Sequence, residues 1–256
     1  MNNITPELKI LKAGIQFMTS CTSTNDILTA KFRNNEISEG ELLCTFNQTQ
    51  GRGQRENTWL SEPEKNLAFS FLLQPQHFPV TSAFYFSKAI PVAICNFFKS
   101  LTGLQDFEVK WPNDIYFQDK KIGGILIENT VKGDQLKNVL IGVGLNINQE
   151  RFNLPKAISL KKICQEEYDL KALCMQLLPY LDQSLSNVFN FNFSSVENEY
   201  LKQMYRRGEI HKFRNLKNGN LFSAEILGTQ QSGELVVRNA ESNALEYFGI
   251  KEIEYL

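Results

Sequence analysis

Lys110-Trp111-Pro112-Asn113-Asp114 and, seven residues later, Lys121-Ile122-Gly123-Gly124-Ile125-Leu126 set two lysines and a carboxylate beside a glycine-thinned strand. Activating a carboxylic acid with a nucleotide needs cations fixed against a phosphate, because negative charge gathers there in the transition state. Lys110 precedes a tryptophan and a proline, so its backbone is extended and its neighbours are stiff. Asp114 is the candidate to organise magnesium, a hard cation that takes oxygen ligands; otherwise it caps a turn. The upstream loop Gln50-Gly51-Arg52-Gly53-Gln54-Arg55 supplies phosphate-binding groups: glycines turn backbone amides toward an anion, and Arg52 offers a fixed fork for phosphate or carboxylate. Taken alone, that loop also reads as an exposed turn. Trp59 beyond it either covers a ligand when the loop orders or packs as a core residue.

Two further strings qualify. Gly142-Val143-Gly144-Leu145-Asn146 ends a strand on which a ligand can lie against backbone, and Asn146 either bonds a phosphate or ribose or satisfies a turn. It is not a dinucleotide fingerprint, lacking the third glycine and the acidic partner. Ser23-Thr24-Asn25 reads first as a helix cap, with a hydroxyl left to meet a ligand. His77 and His211 lie far apart in unrelated contexts, which supports neither a histidine triad nor a zinc site.

The elements that must position these residues are mixed helix and strand. Strands are expected at residues 15–18, 41–46, 67–73, 107–111, 114–117, 122–128 and 139–145, and residues 67–73 form an apolar run fit for burial on both faces. A helix should follow Ser23 or Thr24, with Asp26 in its first turn. Residues 82–101 read as a long buried helix kinked at Pro91, and 169–205 as helix broken near Pro179 and again at 190–195. After Gly208 come short alternating runs punctuated by Asn218-Gly219, Gly228, Ser232-Gly233 and Gly249, the signature of a small all-β unit. The division is placed at residues 1–207 and 208–256.

A length of 256 residues allows one large domain with a small appendage. The net charge of -1 excludes bulk-charge attraction to nucleic acid or anionic membrane. No secretory signal and no bilayer-length apolar run is visible. Five scattered cysteines without a Cys-x-x-Cys pair fit reduced thiols in a cytoplasm.

The strings in this order and spacing, from about Phe17 to Leu160, closely resemble the biotin protein ligases. The resemblance implies an α+β fold: a catalytic domain similar to class II aminoacyl-tRNA synthetases, with a mixed sheet and flanking helices, then an SH3-like barrel. It implies that biotin and ATP form biotinyl-5'-adenylate, after which a lysine of the biotin carboxyl carrier protein of acetyl-CoA carboxylase takes the biotinyl group. Carried over, Ser23, Thr24, Asn25 and Gln48 would line the biotin pocket with the backbone around Gly51 and Gly124. Arg52 would order the loop over biotin and phosphate, and Lys121 would bridge the biotin carboxylate and the α-phosphate. Lys110 and Asp114 would assist, Asp114 holding magnesium; Arg55, Trp59, Asn113 and Asn146 would face the nucleotide. The segment 149–160 resembles the loop that closes over the adenylate.

Two features depart from the family. Gln54 stands where an arginine is common and Glu56 where a glycine is, so a leakier adenylate is expected. Only a short segment precedes the catalytic region, so an operator-binding domain is not expected and neither is DNA binding. A homodimer paired edge to edge through the sheet stays open. The rivals are a lipoate–protein ligase, sharing fold and chemistry, and a non-catalytic biotin or nucleotide sensor.

Overall fold

The computed structural model describes residues 8–54 and 58–256. Arg55 and Glu56 lie outside the described residues. The chain opens with β1 (Ile15–Met18), α1 (Thr24–Arg33), β2 (Leu42–Thr45), the short pair β3 (Gly51–Arg52) and β4 (Thr58–Trp59), and β5 (Asn66–Leu73). Then come α2 (Phe84–Thr102), β6 (Phe107–Lys110), β7 (Asp114–Phe117), β8 (Lys120–Lys132) and β9 (Gln135–Asn146). Helices α3 (Leu160–Cys164), α4 (Leu170–Phe189) and α5 (Phe193–Lys202) lead into β10 (Ile210–Asn215), β11 (Leu221–Thr229), β12 (Leu235–Asn239), β13 (Leu245–Phe248) and β14 (Ile253–Tyr255).

The main sheet is mixed and seven-stranded, in the order β1-β2-β5-β9-β8-β7-β6. Only β1 and β2 run parallel; the other neighbours are antiparallel. Every residue of β5 is buried, as its apolar run predicts, although its ladders are antiparallel on both sides. The cause is its central place: Leu67, Phe69, Phe71 and Leu73 join the main core with α2 and α4, while Leu72, on the opposite face, packs with Leu28 of α1. The second sheet is five-stranded and antiparallel, β13-β12-β11-β10-β14.

Helix α1 starts where the sequence places it, with Ser23 as cap accepting the Asp26 amide at 3.4 Å. The gap between α4 and α5 falls at residues 190–192. The break near Pro179 does not occur. Helix α4 runs unbroken from Leu170 to Phe189 through that proline. A proline inside a helix costs about 3 kcal/mol, but Leu173, Leu177, Leu181 and Leu185 are buried on both sides of it, each contributing about 1.5–3 kcal/mol. Helix α2 likewise passes through Pro91, starting at Phe84 after a 3₁₀ turn at Val80–Ser82. Strands β8 and β9 overrun their predicted ends because they continue as a hairpin to the register pair Lys132 and Gln135. The two-residue turn between them has Gly133 at φ +65°, the left-handed conformation such turns require.

Candidate active site

The sheet face away from α2 and α4 is covered by α1 at one end and open at the other. Side chains alternate along a strand, so β9 presents Leu140, Gly142 and Gly144 to this face and its odd-numbered neighbours to the core. Leu140 lies under α1 with Leu28, Ile37 and Leu43. Gly142, Gly144 and Gly124 floor a cavity of about 540 Å³. A methyl group on Gly142 would overlap the Asn25 amide, and one on Gly144 would overlap the Trp59 indole. The glycines are what lets both groups lie directly on the sheet.

Lys121 reaches this face through a bulge. Ile115 pairs with Gly123 but Tyr116 pairs with Lys121, so Ile122 is left as the extra residue. The bulge resets the alternation: Ile122 and Ile125 both enter the core, and Lys121 shares a face with Gly124, where a methyl would stand 3.3 Å from its Nζ. Lys121 Nζ pairs with Asp114 Oδ1 at 2.7 Å. Its backbone binds the incoming segment, donating to Lys156 O at 2.7 Å and accepting from Ile158 N at 2.9 Å.

The inner end of the cavity is polar but closed. Ser23, Thr24, Asn25 and Gln48 are buried and line it. Gln48 Oε1 accepts the Thr24 backbone N–H at 2.8 Å and lies 3.1 Å from the Thr24 hydroxyl. Among the described residues Gln48 Nε2 has no hydrogen-bond partner and lies against Gly51, where a methyl would stand 2.6 Å away. Ser70, fully buried in β5, lies 2.7 Å from the Thr24 hydroxyl and 2.6 Å from Asn25 Oδ1.

The outer end is charged. Arg52 pairs with Asp26 at 2.7 Å and Glu128 at 3.2 Å. Lys110, opposite Asp114 in the β6–β7 ladder, donates to the Tyr116 hydroxyl at 3.1 Å and lies 4.7 Å from the centre of the Tyr255 ring. Burial pulls the Lys110 ammonium down to about 8; Asp114 opposes this, while Lys156, Arg206 and Lys121 reinforce it.

The second sheet forms part of the wall. Ile250, Ile253, Glu254 and Tyr255 line the cavity, and Trp111 Nε1 donates to Gly233 O at 2.9 Å, tying the β6–β7 turn to that sheet.

The model of the biotin/lipoate A/B protein ligase family matches residues 17–146, half of the chain. The chain belongs to that family. It is 28% identical to the bifunctional ligase/repressor BirA of Bacillus subtilis over 225 residues, covering 86% of this chain and 66% of that one. With the chloroplastic biotin–protein ligase 1 of Arabidopsis thaliana the identity is 33% over 195 residues, covering 74% and 51% respectively. The chain thus spans just under two thirds of the first relative's length and about half of the second's. The biotin protein ligase of Aquifex aeolicus, solved with biotin and ATP, shares the fold at a TM-score of 0.77 and 24% identity, over 95% of this chain and 99% of that one.

Most of the residues singled out in the sequence meet in one cavity: Ser23, Thr24, Asn25, Gln48, Arg52, Trp59, Lys110, Asn113, Asp114, Lys121 and Gly124 all line it. Gly51 and Asn146 are not among the lining residues. Asn146 is buried and donates to Ile158 O at 3.2 Å, and Asn113 Nδ2 donates to Ile125 O at 2.5 Å, so both amides hold backbone. Trp59 sits on the glycine floor beside Lys121, 5.9 Å from Nζ to ring centre. Sequence reasoning missed Ser70, whose one signal is a hydroxyl inside an apolar strand, and the β14 residues, for which there is no local signal.

Proposed function

We propose that this chain is an ATP-dependent biotin–protein ligase, which adenylates biotin and passes it to a lysine of the biotin carboxyl carrier protein of acetyl-CoA carboxylase. The observation that carries this reading is the polarity of the cavity. Its closed end offers neutral groups, a Gln48 amide N–H pair and the Ser23 hydroxyl, suited to a buried uncharged head group such as a urea carbonyl. Its other end offers Lys121, Lys110 and Arg52, suited to a carboxylate meeting a phosphate. A dithiolane head group has no use for buried donors, which weighs against lipoate: donors left unpaired by a bound ligand cost about 1–3 kcal/mol each.

In the first step a biotin carboxylate oxygen attacks the α-phosphorus of ATP and pyrophosphate leaves. Lys121, held by Asp114, bridges the carboxylate and the α-phosphate, while Lys110 and Arg52 offset the charge that accumulates. Trp59 and Gly124 form the wall for the apolar part of biotin. In the second step the carrier lysine amine attacks the acyl carbon and AMP leaves with the phosphate oxygen. Magnesium is bound elsewhere by one or two carboxylates together with substrate phosphates. Asp114 fits that pattern as one protein oxygen ligand, and the metal when bound screens phosphate charge.

Residues 1–207 are read as the catalytic domain, similar to class II aminoacyl-tRNA synthetases, and 208–256 as an SH3-like barrel closing the outer end through Tyr255. Arg55, Asn113 and Asn146 are assigned to the nucleotide side, the two asparagines by shaping its backbone. The test is transfer: with biotin, ATP and magnesium, an isolated carrier domain should gain one biotinyl group by mass spectrometry. Gain of a lipoyl group instead would replace the substrate.

A further inference from the structure

The three cations at the outer end are held in two ways. Arg52 and Lys121 rest on carboxylates, the first on Asp26 and Glu128 and the second on Asp114. Lys110 has no ion-pair partner among the described residues, and Asp114, opposite it in the β6–β7 ladder, is engaged by Lys121. Its ammonium stands instead among three tyrosine rings, 4.6 Å from the centre of Tyr116, 4.7 Å from Tyr255 and 5.8 Å from Tyr205. A ring face attracts a cation without bearing a charge of its own. An ammonium held by a carboxylate must share its charge with that partner when a phosphate arrives; one held by rings has no ion pair to break.

The rings come from three places in the chain, and each is fixed from behind. Tyr116 lies in β7. Tyr205, between α5 and β10, donates its backbone N–H to Val109 O of β6 at 3.0 Å, and its hydroxyl bonds Asp119. Tyr255 lies in β14, paired with Phe213 of β10, and the two rings meet edge to face at 5.2 Å. Arg206 ties the last two together, donating to Asp119 at 3.0 Å and to Leu256 O at 3.3 Å. The Tyr255 hydroxyl is buried and has no hydrogen-bond partner among the described residues, so the ring face is what this residue gives to Lys110.

We infer that Tyr255 is a positioning residue for adenylation: its ring completes an aromatic cage, with Tyr116 and Tyr205, that holds Lys110 in place without neutralising it and leaves it free to meet the phosphate. The inference rests on the adenylation reading and not on the choice of acid. The charged groups around Lys110 are Asp114, Lys121, Lys156 and Arg206. Without the Tyr255 ring, three like charges push on the ammonium and Asp114 is the carboxylate it can turn to. That move takes Lys110 off the phosphate and loosens the hold of Asp114 on Lys121.

The experiment is ATP–pyrophosphate exchange by the full chain with biotin and magnesium for the wild type, Tyr255→Leu, Tyr255→Phe, Lys110→Gln and the double variant Lys110→Gln with Tyr255→Leu. Leucine fills the space but offers no ring face, so kcat should fall about tenfold. The KM for biotin should stay within about twofold, because the lost interaction acts where charge gathers in the transition state. Phenylalanine keeps the face and should recover most of that loss. In the Lys110→Gln background the leucine substitution should cost at most about twofold more, because both act through one ammonium. Losses that multiply in the double variant, phenylalanine as poor as leucine, or an undiminished kcat in Tyr255→Leu would overturn the cage. If Tyr255→Leu does not fold, pentafluorophenylalanine at position 255 keeps the shape of the ring while draining its face, and the same outcomes decide. A folded wild type that supports no exchange with biotin or lipoate would overturn the adenylation reading itself.

Discussion

The two ends of the cavity are built by opposite rules. At the inner end Ser23, Thr24, Asn25, Gln48 and Ser70 are all less than 10% exposed and bond mostly to one another. At the outer end the side chains of Arg52, Lys121 and Asp114 are 45%, 34% and 23% exposed and are held by ion pairs. A neutral network can be closed in advance, because hydrogen bonds satisfy it without any net charge leaving water. Charges that must meet a moving phosphate cannot be closed in advance, and exposed pairs contribute little to folding. In the proposed reaction the inner end therefore serves recognition, and the outer end holds cations available for exchange of partners.

The sharpest break between the ends should come from Lys121→Ala. Removing the cation aimed at the developing charge should lower biotin-dependent pyrophosphate exchange by about 100–1000-fold, with calorimetric biotin binding reduced far less. Equal losses in binding and exchange would erase the distinction. At the inner end Gly142→Ala forces the Asn25 amide aside and should cost about 1–3 kcal/mol of stability, as overpacking does, read by urea denaturation together with a drop in biotin affinity.

The outer end should respond to pH where the inner end does not. The Lys110 ammonium titrates at about 8, so its charge is full below that value and lost as pH rises through it. Pyrophosphate exchange should fall about tenfold per pH unit above that point, and Lys110→Gln should remove the descending limb. The first half-reaction is the one to follow, because the carrier lysine gains nucleophilicity over the same range. The smallest effect belongs to Asp26→Asn. Its pair with Arg52 is half exposed, so the stability change should stay within about 0.5 kcal/mol by thermal unfolding.

The chemistry-bearing residues were legible because they lie in short contiguous strings: residues 110–114 and 121–126 hold three of the groups at the outer end. Their placement on one face was not, because it depends on the Ile122 bulge, which changes the phase of β8 without changing its composition. Ser70 was hidden by its neighbours: one hydroxyl in Asn66–Leu73 does not disturb the apolar pattern. The part of the wall contributed by Tyr255 arises from a contact between sheets more than a hundred residues apart in sequence, which no local pattern encodes. Pro179 misled because a local rule was outweighed by burial along α4. The polar extensions of β8 and β9 escaped notice since a hairpin held by its own ladder needs no apolar alternation.

The most direct measurement is ATP–pyrophosphate exchange by the full chain with magnesium, comparing biotin, lipoate and no acid. A cavity with a neutral donor-bearing end and a cationic end should support exchange with biotin alone. Exchange with lipoate alone would mean the closed polar end does not select the acid, and no exchange by folded protein with either would mean the cationic end does not carry out adenylation.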